Sequence, residues 1–88
     1  VVDVADADRR AFTNGLHSRI FGDSPDEVVR LAGAFLKTLD DRGCLGCIKH
    51  FPGLGAAEVD SHEELPTVTT DADVFERIDL APYRELIG

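Results

Sequence analysis

The sequence is short of positive charge. Its 88 residues carry 9 Lys and Arg against 17 Asp and Glu, for a net charge of −8 with neutral His. Phosphate backbones are held by clustered cations, so this scattered and outnumbered set argues against nucleic acid as a partner. Long apolar runs are missing as well. None approaches the ~20 residues that a membrane-crossing helix requires, and no membrane partner is expected. Cysteine is limited to Cys44-Leu45-Gly46-Cys47. There is no second CxxC and no His-x3-His, which a structural zinc module would supply. The pair precedes a strand-like run instead of opening a helix as redox pairs do, and it reads as two buried strand cysteines. Finally, there is no initiator Met. Val1-Val2-Asp3-Val4 opens inside a strand-like run, without the basic start or apolar stretch of a signal peptide, so the chain reads as a piece of a longer protein.

What is present fits a soluble globular unit: 43% hydrophobic and 30% charged residues. At this length there is room for one small domain with a marginal core. No internal repeat or low-complexity segment interrupts it.

The pattern along the chain is strand, long loop, helix, twice over. Val1–Val4 is the first strand candidate. Residues 5–23 form a long polar loop with an Asn14-Gly15 turn signal. Ser24-Pro25-Asp26-Glu27 combines an N-cap Ser, a Pro at the first helical position and a Glu three residues after the cap. Val28, Leu31, Ala32, Phe35, Leu36 and Leu39 then fall on one helical face, which predicts a helix over 25–42 closed by a left-handed Gly43. The apolar, non-alternating run from Cys44 to Phe51 predicts a buried parallel strand. A second helical region follows around Val74–Ile87, broken or started near Pro82, with Asp79 as a candidate cap. The expected class is α/β: two consecutive βα units of a (β/α)8 barrel. Two units cannot close a barrel, and this again points to a larger domain.

The polar groups gather where the second strand candidate stops. Lys49-His50-Phe51-Pro52-Gly53-Leu54-Gly55, followed by Glu58, Asp60 and His62, sets a cation, two imidazoles and two carboxylates around a glycine-rich turn. In parallel α/β proteins, binding and catalytic groups collect at the carboxyl ends of strands. In extended backbone Asp60 and His62 point the same way. A carboxylate on one ring nitrogen fixes the tautomer and turns the other nitrogen toward a substrate, the arrangement of a general acid/base. Solvated loops show the same spacing, and the triplet alone leaves both readings open. Lys49 and His50 can donate to sugar hydroxyls or a carboxylate, or serve as a surface Lys and a structural His. Arg19 can offer a bidentate fork to a ligand or an ion pair at the helix entry. His17 reads as a solvated loop residue, and Phe51 as packing beneath the loop. Gly53-Leu54-Gly55 lacks the Gly-Lys-Ser/Thr ending of a phosphate loop. Cys44, Cys47, His50 and His62 carry zinc-type donors without zinc-type spacing, and no metal or other cofactor is expected.

These residues resemble glycoside hydrolase family 3. The block from Lys49 to Gly55, then Asp60-Ser61-His62 and Leu65-Pro66, is similar to the family signature, and the Asp-Ser-His ending to its β-N-acetylhexosaminidase branch. Upstream, Leu16-His17-Ser18-Arg19-Ile20-Phe21-Gly22 with Pro25 resembles the family's Ile-Gly-x-Arg-Ser-Phe-Gly. Downstream, Asp79-Leu80-Ala81-Pro82-Tyr83-Arg84-Glu85-Leu86-Ile87 resembles Asp-Leu-x-Pro-Phe-x-x-Leu-Ile. The resemblance covers residues 1–88 in order and implies part of an N-terminal TIM-like barrel domain. It implies an enzyme that removes terminal β-linked N-acetylglucosamine, from peptidoglycan- or chitin-derived sugars, with retention through a covalent glycosyl-enzyme. By position, Arg19, Lys49 and His50 would bind sugar hydroxyls. His62 would be the acid/base, with Asp60 orienting it, a departure from the usual pair of carboxylates. The family's nucleophilic Asp falls on a later strand, after Gly88, and a further sugar-binding carboxylate before Val1, so the 88 residues alone are expected to be inactive. Two positions depart: Leu54 stands where the family usually has His, and His17 where it has Gly. The alternatives are another family 3 glycosidase such as a β-glucosidase, a phosphorolytic relative, and a non-catalytic or metal-binding homologue.

Overall fold

The computed structural model describes the chain except for Arg10, Ala11, Thr13, Asn14, His17, residues 59–64, Pro66, Gly88 and the side chain of Ala7. A 3₁₀ turn at Ala7–Arg9 follows the N-terminal segment, and helix α1 runs Pro25–Asp41. Near the C-terminus, α2 (Ala72–Val74) leads through a π-helical turn, Phe75–Asp79, into α3, Ala81–Ile87.

Helix α1 is where the sequence places it, because its signals are local. Ser24 is the N-cap, its hydroxyl accepting from the Glu27 N–H at 3.3 Å, with Pro25 in the first turn. At the other end the Gly43 N–H donates to Asp40 O at 3.0 Å and the Cys44 N–H to Leu39 O at 2.9 Å, with Gly43 at φ +74°. This pair of bonds around a left-handed residue satisfies two carbonyls the helix would otherwise leave open. Val28 and Ala32 are buried on the inner face, while Phe35, on the same apolar stripe, is 58% exposed and meets the Phe21 ring, with centroids 6.2 Å apart. Gly33 faces α3 without being required there: a Cβ would make ordinary contact with Leu86, at 3.4 Å.

For the two strand candidates the structure shows less than expected: among the described residues no segment is assigned as strand. The two segments nevertheless meet at one point, where the Val2 N–H donates to Lys49 O at 2.7 Å. A ladder needs such bonds in series, and residues 44–47 do not continue it. Their apolar content therefore gains no cover: Leu45 is 99% exposed, and Cys44 and Cys47, read from the sequence as buried, are both exposed free thiols. Only Ile48 reaches the core, which consists of Val2, Val4, Val28, Ala32 and Tyr83 with Phe21, Ile78 and Leu86 at its margin.

The second helical region is broken as expected, but by a π turn. The Leu80 N–H reaches back five residues to Phe75 O at 3.0 Å. Asp79, expected as a cap for the last helix, is used differently. Its carboxylate lies in the interior, bound in a two-pronged pair by Arg9 Nη1 at 2.7 Å and Nη2 at 2.8 Å. Arg9 Nη1 also donates to Val4 O at 3.1 Å, so one guanidinium ties the N-terminal segment to the C-terminal helices.

Candidate functional site

The site begins with the turn after Ile48. The Gly53 N–H closes on His50 O at 2.6 Å, and both the Lys49–His50 and Phe51–Pro52 peptides are cis. The loop then presses its backbone against the N-terminal segment. A Cβ on Gly55 would collide with Val4 O, and one on Gly53, at φ +132°, would meet the Asp79 Cβ at 2.9 Å. Side chains of any size are excluded at both positions, which is why glycine flanks Leu54. Ala56 and Ala57 follow, both buried.

This close approach delivers the turn to Asp3. His50 Nδ1 lies 2.6 Å from Asp3 Oδ2, and the Leu54 N–H donates to Asp3 Oδ1 at 2.6 Å. The His50 N–H makes a longer approach to the same carboxylate, at 3.3 Å. A carboxylate can only accept, so Nδ1 carries the proton in this contact. The Asp3 side chain is fully buried whereas 28% of the His50 side chain is accessible. With Nδ1 occupied, Nε2 is the ring nitrogen left for a ligand.

Of the expected sugar-binding residues, Lys49 and Arg19 are both exposed. Arg19 is carried by a turn in which its N–H donates to Leu16 O at 2.8 Å. His17, Asp60 and His62 lie outside the described residues. So does one arm of the zinc alternative; among the described residues no three His, Cys, Asp or Glu side chains gather in a metal-binding group.

Phe51 is a further correction. It was expected beneath the loop, yet it is 69% exposed and covers Tyr83 from outside, edge to face, with centroids 5.0 Å apart. Tyr83 is buried, and its hydroxyl has no hydrogen-bond partner among the described residues. Burial, then the negative charges of Asp3 and Asp79, raises its pKa well above the ordinary tyrosine value.

Sequence reasoning passed over Asp3 and Arg9, and gave Asp79 the wrong task. The signal for Asp3 was available: a carboxylate inside the apolar run Val1–Ala5 has to be satisfied by something once that run is buried.

A cleft of about 210 Å³ beside the loop is lined by Asp6, Glu58 and Thr70 among others, and an apolar groove of about 150 Å³ lies between Phe21, α1 and Ile48. Neither includes Lys49 or His50. The polar cluster at the turn is an open surface in this unit.

Comparison with known proteins gives the same family as the motifs. The Glycosyl hydrolase family 3 N terminal domain matches residues 1–88. Beta-hexosaminidase of Tolumonas auensis is 39% identical over 75 residues, which is 85% of this chain and 22% of that protein. Beta-hexosaminidase of Neisseria gonorrhoeae is 46% identical over 67 residues, 76% of this chain and 19% of that protein. A crystal structure of native NagZ from Neisseria gonorrhoeae superposes with a TM-score of 0.83 at 38% identity, covering 97% of this chain and 24% of that one. The chain thus spans about a fifth of the length of these relatives.

Proposed function

Because the chain belongs to the glycosyl hydrolase family 3 N-terminal domain family, we propose that it is part of a retaining β-N-acetylhexosaminidase. Its 88 residues form one portion of the (β/α)8 domain, with 1–5 and 44–49 as neighbouring barrel strands. The substrate is a terminal β-linked N-acetylglucosaminide from peptidoglycan or chitin. The observation that carries this reading is the agreement between the Lys49–His62 motif and relatives named beta-hexosaminidase, at 39% and 46% identity.

In this mechanism Arg19, Lys49 and His50 hold sugar hydroxyls. His62 as imidazolium gives its proton to the leaving oxygen while a carboxylate attacks the anomeric carbon. Neutral His62, kept in orientation by Asp60, then takes a proton from water as the sugar is released. The nucleophilic carboxylate comes from elsewhere in the barrel, so the isolated 88 residues do not turn over substrate.

The test compares the full-length protein on aryl N-acetylglucosaminide and aryl glucoside. We expect hydrolysis of the first in clear preference, and a loss of roughly 10²- to 10⁴-fold in kcat for His62→Ala, the range of general acid/base catalysis. Preference for the glucoside would favour a β-glucosidase, and unchanged turnover in the His62 variant would remove the acid/base assignment.

A further inference from the structure

We propose that Asp3 is the positioning residue of His50: it locks the imidazole with Nδ1 protonated and so makes Nε2 the acceptor that meets a sugar hydroxyl. The proposal rests on the hexosaminidase reading for the identity of the ligand, but its geometry is independent of it. Asp3 is fully buried, and its carboxylate is held on the turn from two sides, by His50 Nδ1 at 2.6 Å and by the Leu54 N–H at 2.6 Å. The second bond fixes the carboxylate itself, and with it the plane of the ring. Val2 N–H to Lys49 O, at 2.7 Å, sets the register that brings Asp3 beside His50. An imidazole free in solution samples both neutral tautomers, whereas one bound to an acceptor at Nδ1 is committed to the other nitrogen as its outward face. Neighbouring Lys49 is donor-only. The pair Lys49–His50 therefore offers a sugar one donor and one acceptor, which a hydroxyl, as donor and acceptor at once, satisfies in both directions.

The role differs from a structural one in what it predicts. In the full-length protein with ¹⁵N-labelled histidine, at mildly alkaline pH, His50 should show a protonated Nδ1 and a bare Nε2. In Asp3→Asn the ring should populate both tautomers, KM for the aryl N-acetylglucosaminide should rise, and kcat/KM should fall roughly 10- to 100-fold, as when a partner that orients a ring is removed. In a His50→Ala background the same Asp3→Asn change should cost no more than about 2-fold, because Asp3 acts through the ring that is gone. A wild-type His50 protonated at Nε2 instead would overturn the proposal, and that spectrum needs no variant to fold. Losses that multiply across the two substitutions would also overturn it. A correct tautomer in a protein inactive on N-acetylglucosaminides would count against the hexosaminidase reading and leave the positioning of His50 standing.

Discussion

Asp3 and Asp79 are both 1% exposed, yet the chain neutralises them in opposite ways. Asp79 meets a full guanidinium through two short bonds, with Arg9 itself 5% exposed, so charge and geometry are closed within the interior. Asp3 meets an imidazole and backbone N–H groups, and the imidazole keeps an accessible side. A buried carboxylate fully matched by Arg has nothing left to offer a ligand and serves to join segments. One that is matched by a group able to face outward passes its orientation on to the surface. Tyr83 marks the ground between them, since both carboxylates raise its pKa.

The sharpest way to break this comparison is at the ion pair. Arg9→Ala would leave the Asp79 carboxylate buried without its cation, and we expect a destabilisation of about 3–5 kcal/mol in denaturant unfolding of the full-length protein. Replacing both partners with apolar residues of similar volume should restore most of that loss. If the single and double replacements are equally harmful, Asp79 does more than join segments.

A smaller effect is expected at the close approach that brings the loop to Asp3. Gly55→Ala must displace backbone, because the new Cβ would fall on the Val4 carbonyl oxygen. Overpacking of this kind costs typically 1–3 kcal/mol. It should also weaken binding of N-acetylglucosamine, because the shift passes to Leu54 and His50; an isothermal titration of the variant with the sugar shows whether it does.

The smallest effect is at Tyr83. Tyr83→Phe removes a buried hydroxyl that has no partner among the described residues, and a gain of up to about 1 kcal/mol is expected. The pH dependence sharpens this. The folded protein holds the Tyr83 proton above pH values where the unfolded chain, with its ordinary pKa near ~10, has lost it. Stability should therefore be intact below about pH 10 and decline as pH rises beyond it. In the Phe variant this portion of the alkaline decline should vanish.

The sequence showed what depends on neighbours along the chain. Ser24, Pro25 and Gly43 mark the ends of α1 because capping bonds span three to five residues, and the break before Pro82 was visible for the same reason. The motif around Lys49 was legible as a family resemblance, and the family match confirms it. What escaped lies far apart in sequence. His50 and Asp3 are separated by 47 residues and Arg9 and Asp79 by 70, and no periodicity connects such pairs. Asp79 next to Pro82 imitates a helix cap locally, but the interior pair with Arg9 takes its carboxylate. The exposed Cys44 and Cys47 show the converse: an apolar run states a preference for burial, and only a neighbouring segment can meet it.

The most direct measurement is kcat/KM on an aryl N-acetylglucosaminide for full-length Asp3→Asn and Arg9→Met, each assayed at a temperature where it is folded. The account predicts that Arg9→Met lowers the unfolding temperature and keeps kcat/KM within a few-fold of the unaltered protein, while Asp3→Asn loses roughly 10- to 100-fold. Equal catalytic losses in the two folded variants, or none in Asp3→Asn, would contradict the division of labour between the two carboxylates.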